Sequence, residues 1–338
     1  MTDTLAQAPP NRPSGNPPTG RDGARPTGRA RRPNRPNARP KPRRQWPHRM
    51  IPVVLILLGA LVVAYPVGAT FYNNYRQHEV ASDYSSKVSE VDSHDLADEL
   101  ARAEQYNATL PKGLIHDPWK PADEAQQTAY KAYLGELDSM GAMARIRLPS
   151  IRVELPIYHG TSDDTLARGV GHLFGSTLPI GGPGTHAVLT GHSSLATATM
   201  FDHLPDVRVG DTFYIDVLGR TLAYQVDQIK TVLPDQLGDL ERVDGMDYIT
   251  LVTCTPYAVN THRLLVRGHQ VPYVKAVDPG PSDTALGFDW TIQSWMWPRL
   301  IGAGAALLLL LAMIGGWIRS DRRRRSRLRR PPEGRESP

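Results

Sequence analysis

The sequence predicts an all-β domain, a barrel or a sandwich, held between two membrane-spanning helices. Three observations carry that expectation. Short strand-like runs punctuated by Gly and Pro fill the stretch from Ala142 to about Val274. Two long apolar segments flank it. Charge is divided between the ends and the middle of the chain, although the 338 residues carry a formal net charge of only +5. Residues 1–49 hold twelve Lys/Arg against two acids, and residues 319–338 hold nine Arg against three. The ends therefore sum to about +16 and the middle to about −11.

The apolar segments explain that division. Residues 50–72 (MIPVVLILLGALVVAYPVGATFY) are uncharged, and residues 297–318 (WPRLIGAGAALLLLLAMIGGWI) hold a single Arg near their start. Each is long enough to cross a hydrocarbon core, which takes roughly 20 apolar residues. Trp297 and Trp317 fall where interfacial aromatics belong. The Arg-rich flanks then place both termini in the cytoplasm and the acidic middle outside. A cleaved signal peptide is the alternative for the first segment, but its basic lead is long and its apolar run exceeds a usual signal core.

The remaining organisation follows along the chain. Residues 1–49, rich in Pro, Arg, Gly and Asn, lack the composition for a core and read as a disordered basic tail that can meet anionic lipid. A nucleic-acid role is disfavoured, because the positive charge flanks apolar spans. From Asn73 to about Gln105, Val80, Tyr84, Val88, Val91, Leu96 and Leu100 recur at helical spacing, which predicts an amphipathic helical stalk. Pro111, Gly113, Pro118 and Pro121 break it into a loop, after which EAQQTAYKAYLGEL resumes helix. Strands are expected in MARIRLP, VELPIYHG, THAVLTGHSS, DYITLVTCTPY and HRLLVRGHQVPYV, with a long hairpin turning at Leu218–Gly219. The predicted divisions are stalk and loop over 73–142, β-domain over 143–275, linker over 276–296 and a basic tail over 319–338.

Chemistry centres on Cys254, the only cysteine. A lone thiol forms no internal disulfide, so it is a buried small hydrophobe, an intermolecular bridge or a reactive group. A nucleophilic thiol needs a base or a positive neighbour. His192 follows a buried strand and a Gly, which projects its imidazole from the strand end; Cys254 ends a strand in the same way. Of the other histidines outside the spans, most read as solvated or satisfied surface groups. Alternation puts Arg263, Leu265 and Arg267 on one strand face and Leu264 and Val266 on the other. If the two strands pair, Arg263 nears the thiol and can donate to a developing oxyanion. One Cys and scattered His show no metal-ligand spacing, so neither a metal nor a cofactor is expected.

TLVTCTPYAVNTHRLLVRG, HAVLTGHSSL and GVGHLFGSTLPIGG resemble the sortases, specifically the class C, pilus-assembling group, in the order His, Cys, Arg. The resemblance covers roughly residues 75–275. It implies a closed β-barrel of about eight strands, with Cys254 as nucleophile, His192 as acid/base and Arg263 as oxyanion or substrate ligand. It also implies pilin precursors as partners: an LPxTG-like sorting signal is cleaved between Thr and Gly, and the acyl group passes to a pilin lysine. HDPWKP resembles the lid of that group, with Asp117, Pro118 and Trp119 over the site near residues 111–122. A housekeeping sortase acting on peptidoglycan and a decayed, membrane-anchored structural protein are the alternatives.

Overall fold

The computed structural model describes residues 46–113, 124–280 and 292–328. Eight strands close into a barrel in the order β1-β2-β3-β4-β7-β8-β6-β5. In chain order they are β1 (Ala144–Leu148), β2 (Val153–His159), β3 (Val170–His172), β4 (Thr185–Thr190), β5 (Thr212–Val217), β6 (Arg220–Val232), β7 (Asp247–Thr255) and β8 (His262–Val271). Closure leaves no sheet edge, and all-β composition thus gives a barrel rather than a sandwich. Six of the neighbouring pairs are antiparallel; β2·β3 and β4·β7 are parallel.

Residue alternation fills the barrel. Ile146, Leu148, Ile157, Leu189, Phe213, Ile215, Tyr224, Leu251, Leu264 and Val266 all belong to one buried interior cluster. The β5–β6 hairpin turns through Leu218 and Gly219 at φ 45° and 76°. Two successive positive φ values match the twist of a two-residue hairpin.

Two helices are long and apolar enough to cross a membrane: the Arg49–Glu90 part of α1 (Trp46–Glu90) and the Met296–Ser326 part of α5 (Met296–Leu328). The segment expected as a stalk takes a different course. α1 runs unbroken from the apolar stretch to Glu90, and α2 (Ser93–Thr109) starts afresh where the Asp92 side chain accepts from the His94 N–H. The later part of α1 and α2 lie on the barrel instead of standing off it. Tyr84 and Val88 pack with Met140, Ala142 and Tyr158, while Leu96 and Leu100 reach the main core. The Tyr84 hydroxyl donates to the Met143 carbonyl and accepts from the Leu218 N–H. The apolar stripe that predicted the helix finds its partner in the outer barrel wall.

α3 (Glu124–Tyr133) is shorter than expected, because its last residue plugs a polar gap. Tyr133 is fully buried, with its hydroxyl 3.0 Å from the Gly160 nitrogen, the His172 carbonyl and His172 Nδ1. A surface reading of the histidines fails here. His172 is wholly buried, its Nε2 donating to the Thr177 carbonyl, and burial pushes its pKa down to about 4. His186 is buried between the Glu241 carbonyl and the Thr250 hydroxyl. His116 lies outside the described residues.

β1 is buried on both faces. Its polar face carries Arg145 and Arg147, whose side chains are each 4 % exposed. Arg147 grips Asp216 at 2.7 and 3.2 Å and Asp278 at 2.6 and 2.8 Å, and Arg145 reaches Asp216 and Glu154. Burial pushes the Asp216 carboxyl up, but the Arg147 hydrogen bond and the Arg145 charge outweigh it and hold it below the usual range. The network ties β1, β2, β5 and the chain after β8 together. Arg147→Ala leaves two buried carboxylates short of partners, so it should destabilise the barrel by about 3–5 kcal/mol. Arg147→Lys should recover only part, because an ammonium cannot make both forks. Denaturation of the full chain in detergent, followed by near-ultraviolet circular dichroism of the buried tyrosines, measures this; a loss below about 1 kcal/mol would contradict it.

Candidate active site

Pairing of β7 with β8 sets Cys254 directly opposite Arg263. The pairs Val252–Leu265 and Thr250–Arg267 continue the same face, while Leu264 and Val266 point into the core. Cys254 is half-buried and its thiol is free. The Arg263 guanidinium donates to the carbonyls of Asn260 and His262 at 3.3 and 3.2 Å, which folds it back over the turn between the strands.

His192 approaches from the other side of β7. β4 runs parallel to β7, with Thr190 beside Val252. The ladder continues past the strand end: the Gly191 N–H donates to the Val252 carbonyl at 3.0 Å, and the Thr253 hydroxyl to the Gly191 carbonyl at 2.8 Å. Two residues on, the Ser193 hydroxyl donates to the Cys254 carbonyl at 2.6 Å. His192 and Cys254 thus stand level on neighbouring chains, and Cys254 has the His192 segment on one side and Arg263 on the other. Burial lowers the His192 pKa, with Asp163 at the start of α4 (Asp163–Arg168) pulling the opposite way, so the neutral imidazole is favoured.

His192 lies on a loop that closes on itself. The Phe201 N–H donates to the His192 carbonyl at 3.0 Å, and the Ser194 N–H to the Asp202 carboxylate at 2.6 Å. Burial pushes Asp202 up to about 6, against the pull of that N–H. The Ser194 hydroxyl in turn accepts from the Ala258 N–H, beyond Cys254. Ser193, Ser194 and Asp202 were not singled out from the sequence, since their partners are remote and their spacing follows no motif.

An apolar groove leads to the site along the outer faces of β4, β7 and β8. Leu173, Val188, Val252, Leu265, Leu237 and Leu240 line it together with Thr190 and Arg263, and its space is about 680 Å³ counting the open solvent at its mouth. Its far wall is the connection between β6 and β7. Thr190 and Val252 bring the groove within two residues of His192 and Cys254, and a thiol, a neutral imidazole and a guanidinium beside such a groove are suited to acyl transfer from an extended peptide. The expected lid residues Asp117, Pro118 and Trp119 lie outside the described residues. No cluster of His, Cys, Asp or Glu among the described residues is arranged to hold a metal ion.

The ring of Phe201 leaves no room above it. A Cβ on Gly191 would come within 2.6 Å of that ring. Gly191→Ala should therefore shift the His192 loop, destabilise the domain by about 1–3 kcal/mol and slow reaction at Cys254. Thermal unfolding together with the rate of Cys254 alkylation checks this; a parent-like rate would contradict it.

Comparison with known proteins agrees with this geometry. Residues 146–271 match the sortase domain model. The crystal structure of sortase C-1 from Actinomyces oris is 54% identical, with a TM-score of 0.50, covering 53% of this chain and 99% of that one. Sortase C1 of Streptococcus agalactiae is 42% identical, with a TM-score of 0.54, covering 59% and 97%. A Streptococcus pneumoniae sortase C, whose structure is described in terms of catalysis and pilin substrate specificity, is 42% identical, with a TM-score of 0.53, covering 58% and 97%. Sortase A of Bacillus anthracis is 22% identical over 222 residues, covering 66% of this chain and 93% of its own. With the closed barrel and near-complete overlap with class C structures, the chain belongs to the sortase family of cysteine transpeptidases, in its class C group.

Proposed function

We propose that this chain polymerises pilins, cleaving an LPxTG-like sorting signal between Thr and Gly and passing the acyl group to a pilin lysine. The observation that carries the reading is the placement of Cys254 between the His192 segment and Arg263, its register partner. In this scheme the apolar part of the signal lies in the groove and the scissile carbonyl reaches Cys254. The thiol proton passes to His192 as sulfur attacks. Arg263 turns to donate to the oxyanion. The imidazolium then protonates the departing Gly amine, which leaves a thioester on Cys254 and a neutral imidazole. A lysine Nε attacks that thioester, His192 accepts its proton, and the returning proton restores the thiol. The product is an isopeptide bond.

The domain of residues 143–275 would work outside the cell, with 50–72 and 297–318 in the membrane, both termini in the cytoplasm and the basic tails against anionic lipid. Asp117, Pro118 and Trp119 would cover the site until substrate displaces them, keeping water from the thioester. A housekeeping sortase that joins proteins to peptidoglycan is the second reading. The similarity to class C structures and the C-terminal apolar helix favour the first.

Intact-mass analysis of the full chain with an LPxTG-type peptide tests the scheme. An acyl adduct should form on the parent, vanish in Cys254→Ala and accumulate faster in the Asp117→Ala/Trp119→Ala double variant. Arg263→Lys should slow acylation by about 10²-fold or more. A folded chain that forms no adduct in either lid state would reject this substrate class.

A further inference from the structure

The end of the apolar stretch of α1 and the residues just before α5 meet the loop that carries His192. On α1, the Thr70 hydroxyl lies 3.3 Å from the Ala196 carbonyl, and Asn73 Nδ2 donates to the Thr197 carbonyl at 2.9 Å. Asn74 makes two bonds to Thr199: its Nδ2 donates to the hydroxyl at 2.7 Å, and its Oδ1 accepts from the N–H at 3.0 Å. Just before α5, Gln293 Nε2 donates to the same hydroxyl at 3.0 Å. Residues just past one apolar stretch and just before the other, far apart in sequence, thus converge on Ala196–Thr199. From there the loop returns through Phe201 to the His192 carbonyl and through Asp202 to Ser194.

A surface loop that needed only to connect β4 to β5 would not require this. Ala198, Met200 and Phe201 anchor part of the 192–203 segment in the core, and polar bonds fix the rest. Several of the strongest come from helices whose apolar stretches end within a few residues. With residues 50–72 and 297–318 in the membrane, as proposed above, those bonds would lie near headgroup level, where lower polarity strengthens them. Thr70, Asn73, Asn74 and Gln293 all bond to the loop that leaves the end of β4 carrying His192, beside Cys254. With the two apolar stretches in a membrane, these bonds would set the catalytic end of the barrel toward the bilayer.

We propose that the paired membrane anchors are part of the active-site scaffold: Asn73, Asn74 and Gln293 are positioning residues that hold the His192 loop and seat the catalytic end of the barrel against the lipid surface. This rests on the reading of His192 and Cys254 as the acyl-transfer pair. Anchoring then does more than localise the enzyme. It orders the imidazole, and it brings the thiol to the height at which membrane-held substrates leave the bilayer.

The test uses the full chain in lipid nanodiscs, comparing the parent with Asn74→Ala, Asn74→Asp and Gln293→Ala. Two properties are read: acylation by an LPxTG-type peptide, resolved into kcat and KM, and the pH dependence of Cys254 alkylation by iodoacetamide. Asn74→Ala should lower kcat about tenfold, since small misplacements of a catalytic group are costly. KM should stay within about twofold, because the peptide groove does not touch Ala196–Thr199. The alkylation midpoint should move by about half a pH unit or more as the burial that depresses His192 relaxes. Asn74→Asp, which keeps the bond from the Thr199 N–H, should restore part of the loss, and Gln293→Ala should show a smaller effect of the same kind. Unchanged kcat and midpoint in Asn74→Ala would overturn the proposal. So would kcat and KM failing together in step with a fallen melting temperature. If the parent forms no acyl adduct, the acyl-transfer reading fails; the alkylation profiles then decide alone, a parent–variant difference supporting the positioning role and identical profiles overturning it.

Discussion

The site depends first on the register of β7 against β8. Side chains alternate along a strand, so a slip of one residue would turn Arg263 into the barrel and Leu264 out of it. Two constraints hold the register. Leu264 and Val266 are core residues with no other place to go, and β8 is paired along its length by both β7 and β6. Barrel closure makes a slip more costly still, because every strand would have to move with it. Cys254 and Arg263 therefore face each other as a consequence of core packing.

His192 is held by a different kind of constraint. It lies beyond the end of β4, on a loop fixed by hydroxyls, carboxylates and backbone groups. Polar bonds of this sort are directional but individually worth only about 1 kcal/mol. Phe201, to which Gly191 gives room, and Met200 supply large apolar supports. In the proposed scheme the imidazole serves a leaving amine and then an entering one.

Much of this was legible in the sequence. The strand runs, the Leu218–Gly219 turn and the two faces of β8 follow from period-two patterning and from the turn chemistry of a positive-φ Gly. Cys254, His192 and Arg263 stood out by residue type at strand ends and by motif. Other features lay beyond local pattern. Nothing near Arg145 or Arg147 announces that Asp216 and Asp278 lie far along the chain, so the burial of both faces of β1 could not be read. His172 and His186 look like surface groups until Tyr133 and Thr250 arrive from elsewhere. The helix break at Asp92 did carry a local signal, a carboxylate placed to cap α2, which the longer apolar stripe outweighed.

The most direct test of the acyl-transfer account follows the fate of the acyl group. The full chain, a sorting-signal peptide and a pilin-derived peptide with one free lysine are mixed, and the products are sequenced by tandem mass spectrometry. The account predicts a transient acyl group mapped to Cys254, followed by an isopeptide bond between the Thr carbonyl and the lysine Nε. Release of the free acid alone, or an acyl group on any residue other than Cys254, would contradict it.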